Sequence, residues 1–228
     1  MTDLRDDKPM WGVGEVVYLA APAALGMLNI TLTHFVDGIM VARLIGPKAL
    51  GATFVAGILA FVLISFASGA LSVINTFVSQ NFGANRRARC GRYTWQGLYL
   101  AVAFAAVMIP VALVGRGIFT GLSELIVHFR GEATSPAEMG MQSAYFRILV
   151  CGAGFRLASQ VLEQYFYGTH RPLIVYAVSL VVLVVNITMN YVLITGWWIL
   201  PKMGLAGAAT GSIIAWGVGL ILLMVVFL

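Results

Sequence analysis

The sequence predicts an all-α integral membrane protein with six transmembrane helices, on three observations. Of the 228 residues, 60% are hydrophobic and only 10% are charged. The mean hydropathy is +0.92, and such a chain has too few polar residues to cover a soluble globular domain. The apolar residues fall into separate runs of about 20 residues or more, which is the length that crosses a bilayer.

The predicted helices alternate with polar loops. They cover about residues 15–44, 49–82, 93–119, 139–167, 172–195 and 203–228. Residues 1–14 form a tail that is charged over too great a length for a cleavable signal peptide, and residues 120–138 form a long polar insert. The last helix ends in an apolar run without flanking Lys or Arg. We therefore expect either a partner that caps it or, more simply, a longer chain of which this is the front part.

Lysine and arginine are distributed unevenly over the two ends of the predicted bundle. One end holds Arg5, Lys8, Arg86, Arg87, Arg89, Arg92 and Arg171, and the other holds Arg43, Lys48, Arg116, Arg130 and Lys202. Four of the first group crowd into one short loop, where basic residues orient a membrane protein most strongly. We expect a multi-pass protein of the plasma (inner) membrane with a cytoplasmic N-terminus. Because the basic loop lacks an aromatic platform for bases, no nucleic-acid partner is expected.

The first helix carries a carboxylate, Asp37, deep in an apolar run. Asn29 and Thr33 precede it at four-residue steps and His34 at three, so all four project roughly to one side. An ionisable group in hydrocarbon costs about 3 kcal/mol or more, and it normally faces a bundle interior or a wet cavity. We expect an ion or proton site; the alternative is a carboxylate satisfied by its own helix. Pro22 lacks the N–H for its helical hydrogen bond, which predicts a bend.

The fifth and sixth helices carry further polar groups in apolar surroundings. Asn186 and Asn190 form an i,i+4 pair on one face. Their carbonyl oxygens suit a hard monovalent cation, but the same amides also suit helix–helix hydrogen bonds, worth about 0.6 kcal/mol each. Both interpretations stay open. The sixth helix begins with small residues that permit close packing, and within it Ser212 is the candidate ligand.

The fourth helix places Arg156, Gln160 and Glu163 on one face, at spacings of four and three. A structural Arg–Glu network explains them, and lining a polar cavity is the alternative. The sequence lacks a nucleophile elbow, a Walker loop and a zinc-protease motif, so we expect no enzyme and no cofactor. Cys90 and Cys151 lack metal-ligand spacing and predict free thiols.

Several stretches resemble the multidrug and toxic compound extrusion (MATE) family of the MOP superfamily. They are AAPAAL around Pro22, FVDGIMVARLIGPKALGA around Asp37, SQNFGANRR at residues 79–87, FYGTHRP before the fifth helix, NITMNYVLITG, and PKMGLAGAATGS. They occur in family order and cover essentially the entire chain after the tail. The resemblance implies a secondary antiporter that exports organic cations in exchange for Na⁺ or H⁺. It also implies two six-helix lobes around one cavity, of which this chain matches the N-terminal lobe.

The resemblance further implies roles for single residues. Asp37 resembles the essential first-helix carboxylate, Asn186 and Asn190 the fifth-helix pair beside it, and Ser212 the sixth-helix hydroxyl, commonly Thr. Together these four are the expected Na⁺ or proton site, and Pro22 matches the proline at which the first helix bends. Some relatives carry Asp where this chain has Asn190, so here a single carboxylate serves alone. Asn29, Thr33, His34, Arg156, Gln160 and Glu163 are candidates for lining the cavity.

The implied partners are small organic cations, membrane lipid, and a second six-helix lobe. That lobe is either a missing C-terminal half or a second copy of this chain. No cofactor is implied beyond the coupling ion. Two other functions compete with export. One is a lipid-linked oligosaccharide flippase of the same superfamily, although its pyrophosphate favours a cationic cavity. The other is a structural half-lobe that binds a partner and transports nothing.

Overall fold

The computed structural model describes residues 13–130, 135–197 and 201–228. These residues form six α-helices in an antiparallel arrangement. In chain order the helices are α1 (Val13–Leu44), α2 (Pro47–Gly83), α3 (Arg87–Arg130), α4 (Pro136–Gly168), α5 (Pro172–Thr195) and α6 (Leu205–Phe227). Residues 1–12 of the predicted tail lie outside the described residues, as does Trp198.

Five of the helices in the described part of the chain are long and apolar enough to cross a membrane: α1, α2, α3, α5 and α6. The remaining helix, α4, is more polar. It packs against α2, α3 and α6, so much of its surface faces other helices, and its side chains Phe146, Leu157 and Phe166 are fully buried in the main core. A helix enclosed in this way needs a less apolar surface than one that faces lipid. That α4 also crosses the membrane stays a prediction.

Two predicted loops are shorter than expected. Helix α3 begins at Arg87 instead of residue 93 and continues to Arg130 instead of residue 119. The basic segment is helical because Arg and Ala are strong helix formers. The predicted insert at residues 120–138 was wrong in extent. Residues 120–130 contain no Pro and continue α3, and only residues 131–135 separate α3 from α4. The polar residues of that segment fit a helix as well as a loop.

The helix starts follow local sequence signals. Proline occupies the first turn of α2, α4 and α5, where its missing N–H costs nothing. Ser135 caps α4 by accepting from the backbone N–H of Glu138, while the Glu138 carboxylate accepts from the backbone N–H of Ser135. This reciprocal capping box satisfies two N–H groups that the helix leaves free. It also accounts for the earlier start of α4.

Helix α1 lies at the edge of the bundle. It packs along α5, and the C-terminal end of α1 contacts the start of α2. Large side chains on its outer surface are therefore exposed, with Met27 at 72%, Leu28 at 63% and Phe35 at 64%. An apolar face of this size suits lipid or another apolar lobe. The polar side of α1 instead faces α5 and carries the candidate site.

Candidate cation site between α1, α5 and α6

Asp37 of α1 and Asn190 of α5 are hydrogen-bonded to each other. The amide nitrogen Nδ2 of Asn190 donates to Oδ1 of Asp37 at 2.8 Å. Asn190 is only 1% exposed, and Asp37 is half-buried. A hydrogen bond to an ionised carboxylate is stronger than one between neutral groups, so this contact ties the two helices together at the carboxylate.

The hydrogen-bond network continues from α5 into α6. Asn190 Nδ2 also donates to Asn186 Oδ1 at 3.3 Å, and Asn186 Nδ2 donates to Ser212 Oγ at 3.2 Å. The Ser212 hydroxyl in turn donates to the backbone carbonyl of Ala208 at 3.1 Å. Asn186 and Ser212 are buried. The structure therefore brings together Asp37, Asn186, Asn190 and Ser212 in one continuous chain of side chains.

The carbonyl oxygen of Asn190 is left unsatisfied by this network. Both N–H groups of the amide face acceptors, whereas Oδ1 is buried without a hydrogen-bond partner. An unpaired buried acceptor costs about 1–3 kcal/mol. This oxygen lies against Gly211, where a Cβ atom would overlap it. The absence of a side chain at Gly211 is therefore what lets α6 approach Asn190.

Asp37 has no positive counter-charge within the described parts of the chain. The single ion pair found there joins Arg156 to Glu163, at 3.0 Å. The described residues also contain no cluster of three or more His, Cys, Asp or Glu side chains. The donors present are carboxylate, amide and hydroxyl oxygens, which suit hard cations.

The other predicted residues of α1 take separate partners. Asn29 is buried, and its Nδ2 donates to Ser179 Oγ of α5 at 3.0 Å. Thr33 bonds back to the Asn29 carbonyl at 2.9 Å, and His34 is exposed. On an ideal helix Thr33 and Asn29 lie about 40° and 80° from Asp37 in one direction and His34 about 60° in the other, so His34 lies at the edge of the predicted side. These residues do not join the Asp37 network.

The predicted face of α4 divides into two contacts. Arg156 and Glu163 form their ion pair with each side chain about one quarter exposed, at 28% and 24%. Gln160 is buried and donates to the backbone carbonyl of Ser68 on α2 at 2.9 Å. These contacts agree with the predicted Arg–Glu network, and cavity lining stays a prediction. Helix α1 runs without interruption through Pro22.

Sequence reasoning missed Ser179 and Gly211. Ser179 is an isolated hydroxyl in an apolar helix, and only the fold reveals that it lies opposite Asn29. Gly211 was noted as one of several small residues that permit close packing. Its position one residue before Ser212 was the available signal that α6 packs closely against α5 at the site.

Comparisons with known proteins agree on one family. The family model described as MatE matches residues 22–192. The "Probable multidrug resistance protein NorM" of Bradyrhizobium diazoefficiens is 27% identical over 198 residues, covering 87% of this chain and 40% of the relative. "Multidrug resistance protein PmpM" of Pseudomonas aeruginosa is 28% identical over 201 residues, with coverages of 87% and 40%. The chain thus spans about 40% of the length of these curated relatives.

Solved structures agree on the fold. The eukaryotic MATE transporter AtDTX14 superposes with a TM-score of 0.75 at 20% identity, covering 92% of this chain and 44% of that one. A MATE protein in the straight conformation gives 0.74 at 20% identity, with coverages of 91% and 43%. Because the family model matches most of the sequence and the helices superpose on these structures, the chain belongs to the MatE family.

Proposed function

We propose that this chain forms one lobe of an ion-coupled exporter of organic cations, with Na⁺ or H⁺ bound at Asp37. The observation that carries the proposal is the Asp37 carboxylate, which lies among amide and hydroxyl groups without a positive partner in the described residues. The relatives named as multidrug resistance proteins support drug export. Their names suggest the substrate class, and the network suggests where the coupling ion binds.

The chemistry of the network suits either coupling ion. A proton binds directly to an oxygen of Asp37. A sodium ion takes the carboxylate together with the oxygens of Asn186, Asn190 and Ser212. The unpaired Oδ1 of Asn190 faces Gly211, so its amide must rotate before this oxygen can reach the ion. In both cases binding neutralises the one carboxylate, and an organic cation competes with the coupling ion for that charge.

In the proposed exporter the substrate cavity lies between two lobes, and this chain forms only one of them. The exposed apolar face of α1 suits such a contact, and the chain spans about 40% of its curated relatives. The second lobe is either part of the same polypeptide or a second copy of this chain. An intact mass near twice 24.5 kDa under denaturing conditions identifies the first arrangement, and a mass equal to 24.5 kDa excludes it. We place all six helices across the plasma membrane, with the N-terminus in the cytoplasm.

Replacement of Asp37 by Asn tests the proposal, because it keeps the shape of the side chain and removes its charge. In bacterial cells that lack their own exporters, we expect Asp37→Asn to abolish resistance to cationic drugs at an unchanged level in the membrane. Glu124→Gln is the matched control, since it removes an exposed carboxylate of α3 far along the chain from the site. Unchanged resistance in Asp37→Asn contradicts the proposal.

Two further arms separate the alternatives. In proteoliposomes, export driven by an imposed Na⁺ gradient at equal pH identifies sodium coupling, and export driven by a pH gradient without Na⁺ identifies proton coupling. A wild-type protein that inserts but moves no organic cation favours the non-transporting lobe. Movement of a lipid-linked pyrophosphate that is insensitive to Asp37→Asn favours the flippase.

A further inference from the structure

Two turns at one end of the bundle have the same backbone construction. Residues 83–86 join α2 to α3, and residues 168–171 join α4 to α5. In each turn the third residue, Asn85 or His170, has a positive φ, of 57° and 59° respectively. In each turn the amide of the fourth residue, an arginine, donates to the carbonyl five residues earlier at 2.8 Å. Both turns therefore place an arginine directly before a helix.

The ring of Phe82 joins the two turns. Its centroid lies 5.8 Å from that of His170, and the guanidinium carbon of Arg87 lies 5.9 Å from the Phe82 centroid. The basic side chains of both turns consequently occupy one continuous area. We call this area the basic surface; it consists of Arg86, Arg87, Arg89, Arg92, His170 and Arg171, all of which are exposed.

The basic surface has no acidic residue in the segments that form it. Neither residues 83–95 nor residues 165–176 contain Asp or Glu. Glu163 lies seven residues before His170, and it is already paired with Arg156 at 3.0 Å. Five guanidinium groups in one area repel each other, and an anionic ligand relieves that repulsion.

Apolar side chains border the basic surface on the side of the bundle. Leu173 of α5, which is 52% exposed, follows Arg171 by two residues. Phe77 of α2, which is 41% exposed, stacks on Tyr93, the residue after Arg92, with ring centroids 5.0 Å apart. A cavity of about 210 Å³ also lies at the second turn, lined by His170, Arg171, Pro172, Leu173 and Ile174. Positive charge next to exposed apolar surface matches a phospholipid, because its phosphate pairs with the charge and its acyl chains cover the apolar surface. A free phosphate ion needs only the charge.

We propose that the basic surface binds the headgroup of an anionic phospholipid such as phosphatidylglycerol. The arginines hold the phosphodiester, since the planar guanidinium donates two N–H groups to phosphate oxygens. The acyl chains lie against the exposed apolar residues of α2 and α5. This site lies at the end of the bundle that the arginine distribution assigns to the cytoplasm, and it does not depend on Asp37 or on transport.

The experiment compares lipid binding to three forms of the purified protein by native mass spectrometry in detergent. The first is the wild type, and the second is Arg86→Gln/Arg87→Gln/Arg171→Gln. The third, Arg43→Gln/Lys48→Gln/Lys202→Gln, is the matched control, because it removes three exposed positive charges at the opposite end. We expect wild type and control to bind phosphatidylglycerol in preference to phosphatidylcholine. Because each basic residue near an anionic lipid contributes about fivefold in affinity, the first variant loses roughly 100-fold.

Three outcomes overturn the proposal. The first is equal binding of phosphatidylglycerol by wild type and the Arg86/Arg87/Arg171 variant, and the second is an equal loss in the control. The third is protection of the wild type against thermal unfolding by inorganic phosphate alone as strong as that by phosphatidylglycerol, which marks a free-anion site. If the variant does not fold, the salt dependence of phosphatidylglycerol binding to the wild type tests the proposal. Binding that weakens as the NaCl concentration rises supports it, and binding that is insensitive to salt overturns it.

Discussion

Asn190 donates its amide N–H to the carboxylate of Asp37 at 2.8 Å, while its own carbonyl oxygen is buried without a partner. The amide is thus oriented for an ionised carboxylate that holds no cation. If a cation or proton binds at Asp37, the carbonyl oxygen of Asn190 becomes a better neighbour for that site than its N–H group. Under the proposal that Asp37 binds the coupling ion, the occupied and empty states of the site therefore differ in the orientation of one amide.

Removal of that amide is the first prediction. We expect Asn190→Ala to lower the free energy of unfolding by about 1–3 kcal/mol, since it leaves a partly buried carboxylate without its donor. Drug export should fall as well, and the ion concentration needed for half-maximal export should rise. Thermal unfolding in detergent and export assays at varied Na⁺ and pH measure both effects.

Asn29→Ala is the control for this change. It also removes an amide that joins α1 to α5, through Ser179 at 3.0 Å, and we expect a similar loss of stability. The ion dependence of export should stay unchanged, because Asn29 lies outside the Asp37 network. Equal shifts of ion dependence in both variants would show that export depends on the packing of α1 against α5 as a whole. The specific contact at Asp37 would then not be the cause.

Glycine at position 211 provides the second prediction. A methyl group there overlaps Asn190 Oδ1 and lies 3.0 Å from the backbone nitrogen of Asn190. We expect Gly211→Ala to destabilise the protein by about 1–3 kcal/mol through overpacking and to impair export by displacing the Asn190 amide. Gly217 lies on the same helix with no atom within 4 Å of its Cβ position. Gly217→Ala should therefore be neutral or stabilising by up to about 1 kcal/mol, and an equal loss in both variants argues against close packing at the site.

The hydroxyl of Ser212 is the subject of the third prediction. It accepts from Asn186 at 3.2 Å and is buried. Ser212→Ala leaves that amide without its acceptor, so we expect a loss of about 1–3 kcal/mol in stability and a weaker response of export to the coupling ion. Ser212→Thr retains the hydroxyl and should retain most of the ion response. An equal response of export to the coupling ion in the alanine and threonine variants would contradict a role for the Ser212 hydroxyl.

The ion pair on α4 supports the fourth prediction. Because Arg156 and Glu163 are each about one quarter exposed, their pairing should contribute no more than about 1 kcal/mol. A double-mutant cycle with Arg156→Gln and Glu163→Gln measures that coupling in thermal unfolding. If the pair is structural, export should keep its substrate range in all variants. A changed range at unchanged stability would instead place these side chains in the substrate cavity.

Much of the fold and of the candidate site was predictable from the sequence. The cost of polar groups in apolar helices marked Asp37, Asn186 and Asn190 as residues that need partners, and the resemblance to the MATE family implied that they meet with Ser212. The structure joins these four residues in one network. Export by the whole protein, and the role of these residues in it, remain proposals.

Other features depend on three-dimensional packing or on weak local signals. The partner of Asn29, the exposure of His34 and the orientation of the Asn190 amide follow from how helices rotate against each other. The continuation of α3 to Arg130 was missed because polar helix formers have no distinct signature at a helix end.

The most direct test of the central claim is equilibrium ion binding to the purified native protein. Binding of radioactive ²²Na⁺ and the uptake of protons after a pH step are measured for the wild type and for Asp37→Asn, with Glu124→Gln as the control. The account predicts that the wild type and the control either bind one Na⁺ that Asp37→Asn does not bind, or take up one more proton than Asp37→Asn does. Binding by Asp37→Asn equal to that of the wild type would place the coupling ion elsewhere in the molecule.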